Sequence, residues 1–235
     1  MKVIIRSEER GKANHGWLNA SHTFSFAGYY NPDKVHFGML RVLNDDIVAP
    51  GMGFGMHPHD NMEIITIPLY GQLEHKDSMG NKKTITSSEV QIMSAGTGVV
   101  HSEYNPSQTE EVNLFQIWIF PKLKNISPRY DQKIFNIKDR EDKFQLVVSP
   151  SKDDSSLWIN QDAYLSLAKI NQGKTLNYAL NKIGNGVFIM IIKGEANIEN
   201  EVLKTRDAIG ISEQSEFLLT ANQTTEVLVI EVPMN

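Results

Sequence analysis

Short runs of β-branched and aromatic residues, separated by turn signals, constrain the fold of this chain more than any other feature. Segments such as MEIITIPLY, EVQIMSA, NLFQIWIF, QLVVSP, GVFIMIIKG and EVLVIEVP have the length and composition of strands. Asn31-Pro32, Met79-Gly80-Asn81 and Gly184-Asn185-Gly186 punctuate them as turns. Long stretches with apolar residues at a helical period are missing, so the expectation is an all-β sandwich or barrel.

An internal repeat sharpens this reading. A strand ends in glycine at Leu69-Tyr70-Gly71 and again at Ile192-Lys193-Gly194. After a hairpin, an acidic residue opens a second strand at Glu89-Val90-Gln91-Ile92 and at Asp207-Ala208-Ile209. Threonine then leads a third, at Thr109-Glu110-Glu111-Val112 and at Thr224-Thr225-Glu226-Val227. The second hairpin is the shorter. Two similar packed barrels are expected, residues 1–130 and 131–235, joined through a Pro- and charge-containing connection at 121–132. At 235 residues, 40% hydrophobic, the chain has material for such a core.

Composition removes several chemistries. The chain has no cysteine, so disulfides, zinc-thiolate sites, iron–sulfur clusters and thiol nucleophiles are excluded, and any metal must sit on nitrogen and oxygen. No apolar run reaches the roughly 18 residues of a membrane span, and MKVIIRSEERGK lacks the apolar core of a signal peptide. A soluble, cytoplasmic monomer is expected. A net charge of -5 gives no general reason to bind nucleic acid or an anionic membrane. All seven histidines lie in the first 101 residues, which confines imidazole chemistry to the N-terminal half.

The chemistry concentrates in two blocks, GMGFGMHPHDNME (51–63) and GVVHSEYN (98–105). Residues two apart on a strand share a face, about 6.6 Å apart along the chain, so His57 and His59 can converge on one ion. His101 and Glu103 repeat the device. Two such strands facing each other would supply three neutral imidazoles and a carboxylate, leaving positions open for water or substrate. Iron(II), manganese(II), cobalt(II), nickel(II), copper(II) and zinc(II) all suit these donors. Pro58 cannot donate to a ladder and places the pair at a strand edge or irregularity.

These blocks resemble the two cupin motifs. Gly51, His57, His59, Glu63, Gly98, His101 and Asn105 match; Gly71 comes one residue late, and Gly96 stands where the motif has proline. A more specific resemblance, to pirins, is carried by HGWLNASHTFSFAGYYNP (15–32), LRVLNDDIVAPGMGFGMHPHDNMEIIT (40–66), HKDSMG (75–80) and SAGTGVVHSEYNPS (94–107). It implies a bicupin, two packed antiparallel β-barrels of jelly-roll type, with a metal-binding cupin at 1–130 and a cupin without ligands at 131–235. It also implies one divalent ion, iron(II) favoured, held by His57, His59, His101 and Glu103. Generic cupins would use Glu63 instead; the spacing of Glu103 from His101 favours the pirin choice.

The resemblance implies a quercetin 2,3-dioxygenase that takes a flavonol and O2, with Glu103 as the base accepting the flavonol 3-hydroxyl proton. Two competing classes stand beside it: a metal-binding regulatory protein that contacts a partner, and a metal-dependent isomerase or hydrolase on the same ligand set. An enclosed pocket beside the ion separates the enzyme from the regulator. The remaining histidines receive structural roles (His15, His22, His36) or none (His75). The aromatics Trp17, Phe24, Phe26, Tyr29, Tyr30 and Phe37 fill core or line a pocket for a planar ligand. Lys122, Lys124 and Arg129 read as a solvated loop.

Overall fold

The structure, a computed structural model, describes residues 1–235. The first half runs β1 (Lys2–Ile5), β2 (Gly11–Asn14), β3 (Leu18–His22), β4 (Leu40–Val48), β5 (Gly53–His59), β6 (Glu63–Tyr70), β7 (Gln72–Asp77), β8 (Lys82–Thr86), β9 (Glu89–Ser94), β10 (Val99–Tyr104), β11 (Val112–Ile119) and β12 (Arg129–Ile134). The second runs β13 (Gln145–Ser149), β14 (Leu157–Trp158), β15 (Tyr164–Ile170), β16 (Thr175–Ala179), β17 (Asn185–Lys193), β18 (Glu195–Ile198), β19 (Glu201–Lys204), β20 (Ala208–Ile211), β21 (Glu216–Ala221) and β22 (Thr225–Pro233). The helical segments are two short 3-10 turns, Ser7–Glu9 and Ile137–Arg140. No helix is long and apolar enough to cross a membrane.

Each half packs a seven-stranded sheet on a four-stranded one. The first half orders β12-β9-β6-β11-β4-β3-β2 over β5-β10-β7-β8; the second orders β1-β20-β17-β22-β15-β13-β14 over β16-β21-β18-β19. Pairing is antiparallel except between β13 and β14. The jelly-roll bicupin is therefore present, as open sandwiches rather than closed barrels, because the edge strands of the two sheets do not pair with each other.

The repeat is a structural one. The run β9-β6-β11-β4 corresponds to β20-β17-β22-β15 in order and direction. Gly71 and Gly194 end the equivalent strands β6 and β17 at φ +75° and +96°. A Cβ on Gly71 would lie 2.6 Å from the Glu111 carbonyl oxygen, and one on Gly194 2.4 Å from that of Thr224, so both turns demand glycine twice over.

Strand alternation explains the continuous apolar runs that lack polar faces. In β17, Phe188, Met190 and Ile192 enter a core shared by both halves, while Val187, Ile189 and Ile191 fill the second half's own interior. In β11, Phe115, Ile117 and Ile119 join the shared core and Val112 and Leu114 face inward. The large sheets thus lie back to back. Phe24 and Phe37 pack on Phe188 across the halves, centroids 5.4 and 5.6 Å apart.

Two strands tie the halves further. β1 pairs with β20 in the second half's sheet, and β12, through which the 130/131 division runs, pairs with β9 of the first. Within the expected solvated loop, Lys122 pairs with Asp162 at 2.9 Å, and Arg129 donates to the Trp158 carbonyl at 2.8 Å and lies over its ring. This segment is a clamp between the halves, since their close packing leaves it carbonyls and a carboxylate to bind.

Candidate metal centre

β5 is an edge strand of the small sheet, so Pro58 removes no ladder bond. His57 on β5 stands opposite His101 on β10. The register slips by one residue between the His101–His57 and Glu103–Phe54 pairs, which puts the extra residue on β5, between Phe54 and His57. The strands approach so closely that a Cβ on Gly53 would sit 2.2 Å from the Glu103 carbonyl oxygen. The result is a triangle of imidazoles: centroids are 4.8 Å apart for His57 and His59, 4.4 Å for His57 and His101, and 4.9 Å for His59 and His101. One ring nitrogen from each lies within 4.8 Å of the others.

Hydrogen bonds orient two of these rings. His57 Nδ1–H donates to the Gly55 carbonyl at 2.8 Å, which leaves Nε2 as the free lone pair. Behind His101, His75 Nε2–H donates to Asp77 Oδ2 at 2.9 Å, so His75 Nδ1 accepts from His101 Nδ1–H at 3.5 Å. His101 Nε2 then has no proton, no partner and no solvent contact. A buried lone pair without a partner is unfavourable unless something occupies it. Burial, then the neighbouring imidazoles, pushes His101 down to about 3 and His59 down to about 4. Both are neutral at physiological pH, the form that binds a metal. Three converging imidazoles, two of them held neutral by burial and one with an orphaned nitrogen, fit a divalent cation.

Glu103 stands differently. Its carboxylate clusters with His75 and His101, a second donor group that shares His101 with the first but not His57 or His59. Gln116 Nε2 donates to Glu103 Oε2 at 2.6 Å and the Thr66 hydroxyl to Oε1 at 3.3 Å. Glu63 belongs to neither cluster. It accepts from the Ser94 hydroxyl at 2.8 Å and the Asn160 backbone N–H at 3.2 Å, and burial pushes it up to about 7.

The triangle opens on a cavity of about 440 Å³ between the sheets, walled by Trp17, Phe26, Phe54, Ile64 and Trp118, with Asn44, Asp46 and Gln116 as its further polar lining. Trp17 meets Phe54 edge-on at 5.2 Å, Phe26 meets Trp118 at 5.3 Å, and Trp118 meets His59 at 4.9 Å. The aromatic segment therefore divides. Trp17 and Phe26 line the cavity, Phe24 and Phe37 enter the core, and Tyr30 is exposed. His22 is buried, and His36 bonds the Gly38 carbonyl.

Sequence reasoning gave His75 no role, yet it is 0% exposed, stacked on Tyr130 at 4.5 Å and bonded toward His101. Its signal was available: His75 and Asp77 form an i, i+2 pair like His57 and His59. Trp118, Gln116 and Asp46 also escaped notice, because nothing in their strands distinguishes a wall residue from core.

Comparison with known proteins bears on this site. The Pirin family model matches residues 5–119, and the quercetinase C-terminal cupin domain model matches 146–232. The chain is 46% identical over 236 residues to quercetin 2,3-dioxygenase of Escherichia coli K12, covering 99% of each, and 40% identical to a pirin-like protein of Caulobacter vibrioides, covering 95% of this chain and 96% of that one. The crystal structure of the bacterial pirin YhhW from Escherichia coli in complex with nickel(II) superposes with a TM-score of 0.94 at 43% identity, covering 99% of each chain.

Proposed function

The chain belongs to the pirin family, and on that premise we propose that it is a metal-dependent dioxygenase that opens the flavonol heterocycle with O2 and releases carbon monoxide. The observation that carries the reading is the imidazole triangle at the wall of an aromatic cavity of about 440 Å³, a size suited to a small planar ligand. A regulatory metal protein would need no such aromatic pocket beside the imidazoles. The quercetin 2,3-dioxygenase name of the full-length Escherichia coli relative supports the same reading.

One ion per chain would be held by His57, His59, His101 and Glu103, with iron(II) the first choice among nitrogen- and oxygen-binding metals. When bound, it supplies Lewis acidity that favours ionisation of a coordinating hydroxyl. Glu103 accepts the proton of the flavonol 3-hydroxyl at a carboxylate oxygen, and Gln116 and Thr66 hold that carboxylate in place. Trp17, Phe26, Phe54 and Trp118 flank the rings with apolar surface. The deprotonated flavonol is electron-rich enough to react with O2. Both oxygen atoms enter the product, one ring carbon leaves as carbon monoxide, and a depside remains, so the reaction needs no external reductant.

The test is metal analysis of the purified protein, then assay of each metal-reconstituted form for quercetin consumption with carbon monoxide release. Stoichiometric carbon monoxide from at least one form is expected. Full occupancy with every candidate metal and no carbon monoxide from any would sink the proposal.

A further inference from the structure

Asp46 breaks the rule that a buried carboxyl has a partner. It is 4% exposed, its Oδ1 has no hydrogen-bond partner, and its side chain joins no ion pair. The adjacent residue shows what a settled carboxylate looks like in this strand. Asp45 points to the other face of β4, where Arg206 Nε donates to it at 2.7 Å and Arg10 lies 3.6 Å away. Asp46 instead joins the wall of the aromatic cavity, on the sheet opposite the one that carries the imidazoles. Its cross-strand neighbours are Ala20 and Leu114, so an apolar residue would suit the position. An unsatisfied carboxyl oxygen there is destabilising. Such violations belong at functional sites.

We propose that Asp46 is a substrate-contacting residue that reads a hydroxyl on the substrate's edge remote from the imidazole triangle, selecting polyhydroxylated over singly hydroxylated planar ligands. Burial first, then repulsion from Asp45 and Glu103, keeps the carboxyl protonated near neutral pH. It therefore offers a donor and an acceptor together, the complement of a phenolic hydroxyl that does the same. With one edge of the ligand at His57, His59 and His101 and another at Asp46, the substrate bridges the two sheets. A site that bonds a substrate hydroxyl discriminates strongly against the analogue lacking it.

This inference rests on the flavonol reading, and its test separates the two. Zinc-loaded protein is titrated without O2 with quercetin and with 3-hydroxyflavone, which carries the 3-hydroxyl alone. Wild type is expected to prefer quercetin. Asp46→Leu should weaken quercetin binding about ten-fold, leave 3-hydroxyflavone within about two-fold, and retain zinc, while Asp46→Asn, still donor and acceptor, keeps most of the preference. Asp46→Leu should also melt no lower than wild type, because it relieves a desolvated carboxyl. Equal weakening of both ligands, an unchanged preference, or a melting point below wild type would assign Asp46 a structural role and overturn the inference. Wild type that binds neither ligand overturns the flavonol reading and this inference with it.

Discussion

His101 shows how a single side chain is prepared for its work. Its Nδ1–H is committed to His75, whose own proton is committed to Asp77, and only Nε2 faces the triangle. His75→Phe keeps the stack on Tyr130 but removes this support, and is expected to lower metal affinity about 10–100-fold with the fold intact, read by chelator competition and circular dichroism. At equal metal occupancy, Glu103→Gln should lower turnover about 10²-fold or more, because a neutral amide takes no proton, whereas Glu63→Gln should stay within a few-fold. Glu63 has a different signature. Its folded-state pKa is raised from 4.5 to about 7, so the folded chain holds this proton more tightly than the unfolded chain, and the stability it contributes below pH 4.5 is lost as pH rises through about 7. Melting of Glu63→Gln at pH 5 and pH 8 should therefore show a smaller fall with pH than wild type. The sequence disclosed the imidazole triangle because i, i+2 spacing on a strand puts side chains on one face whatever the tertiary context. It concealed the roles of His75 and Asp46, because these depend on which sheet lies across the cavity, and no local pattern encodes that.

At the scale of strands, the repeat was legible in its punctuation: Gly71 and Gly194 each precede a hairpin that the backbone can enter only at positive φ. Gly71→Ala and Gly194→Ala should each destabilise by roughly 1–3 kcal/mol in urea unfolding, since the added Cβ meets a carbonyl in either turn. Gly16→Ala, also at positive φ but in open space, should cost less. Strand faces were harder to read. The run VFIMII in β17 has no polar residue to mark its sides, yet alternate residues serve different cores. Periodicity reports which faces are apolar and is silent when both are. The connection at 121–132 misled for a related reason: its charged residues look solvated in isolation, and only the neighbouring half supplies Asp162 and the Trp158 carbonyl.

Across the whole molecule, the shared core draws on both halves, with Leu40, Ile65 and Phe115 from the first meeting Leu165, Phe188 and Leu228 from the second. Two cupins joined this way should unfold as one unit. Calorimetry of the intact chain is expected to give a single transition with matching calorimetric and van't Hoff enthalpies, and two separated transitions would show the shared core to be energetically minor. β1 adds a feature of timing. Its partner β20 lies about 200 residues downstream, and at roughly 5–20 residues per second a ribosome takes on the order of 10–40 s to deliver it. Throughout that interval Lys2–Ile5 has no sheet to join, and the back of the first cupin, where Phe24 and Phe37 await Phe188, stands bare to the crowded cell. The first strand to be made is among the last to be placed, so a stalled or prematurely terminated nascent chain presents a half-molecule whose apolar back lacks its cover.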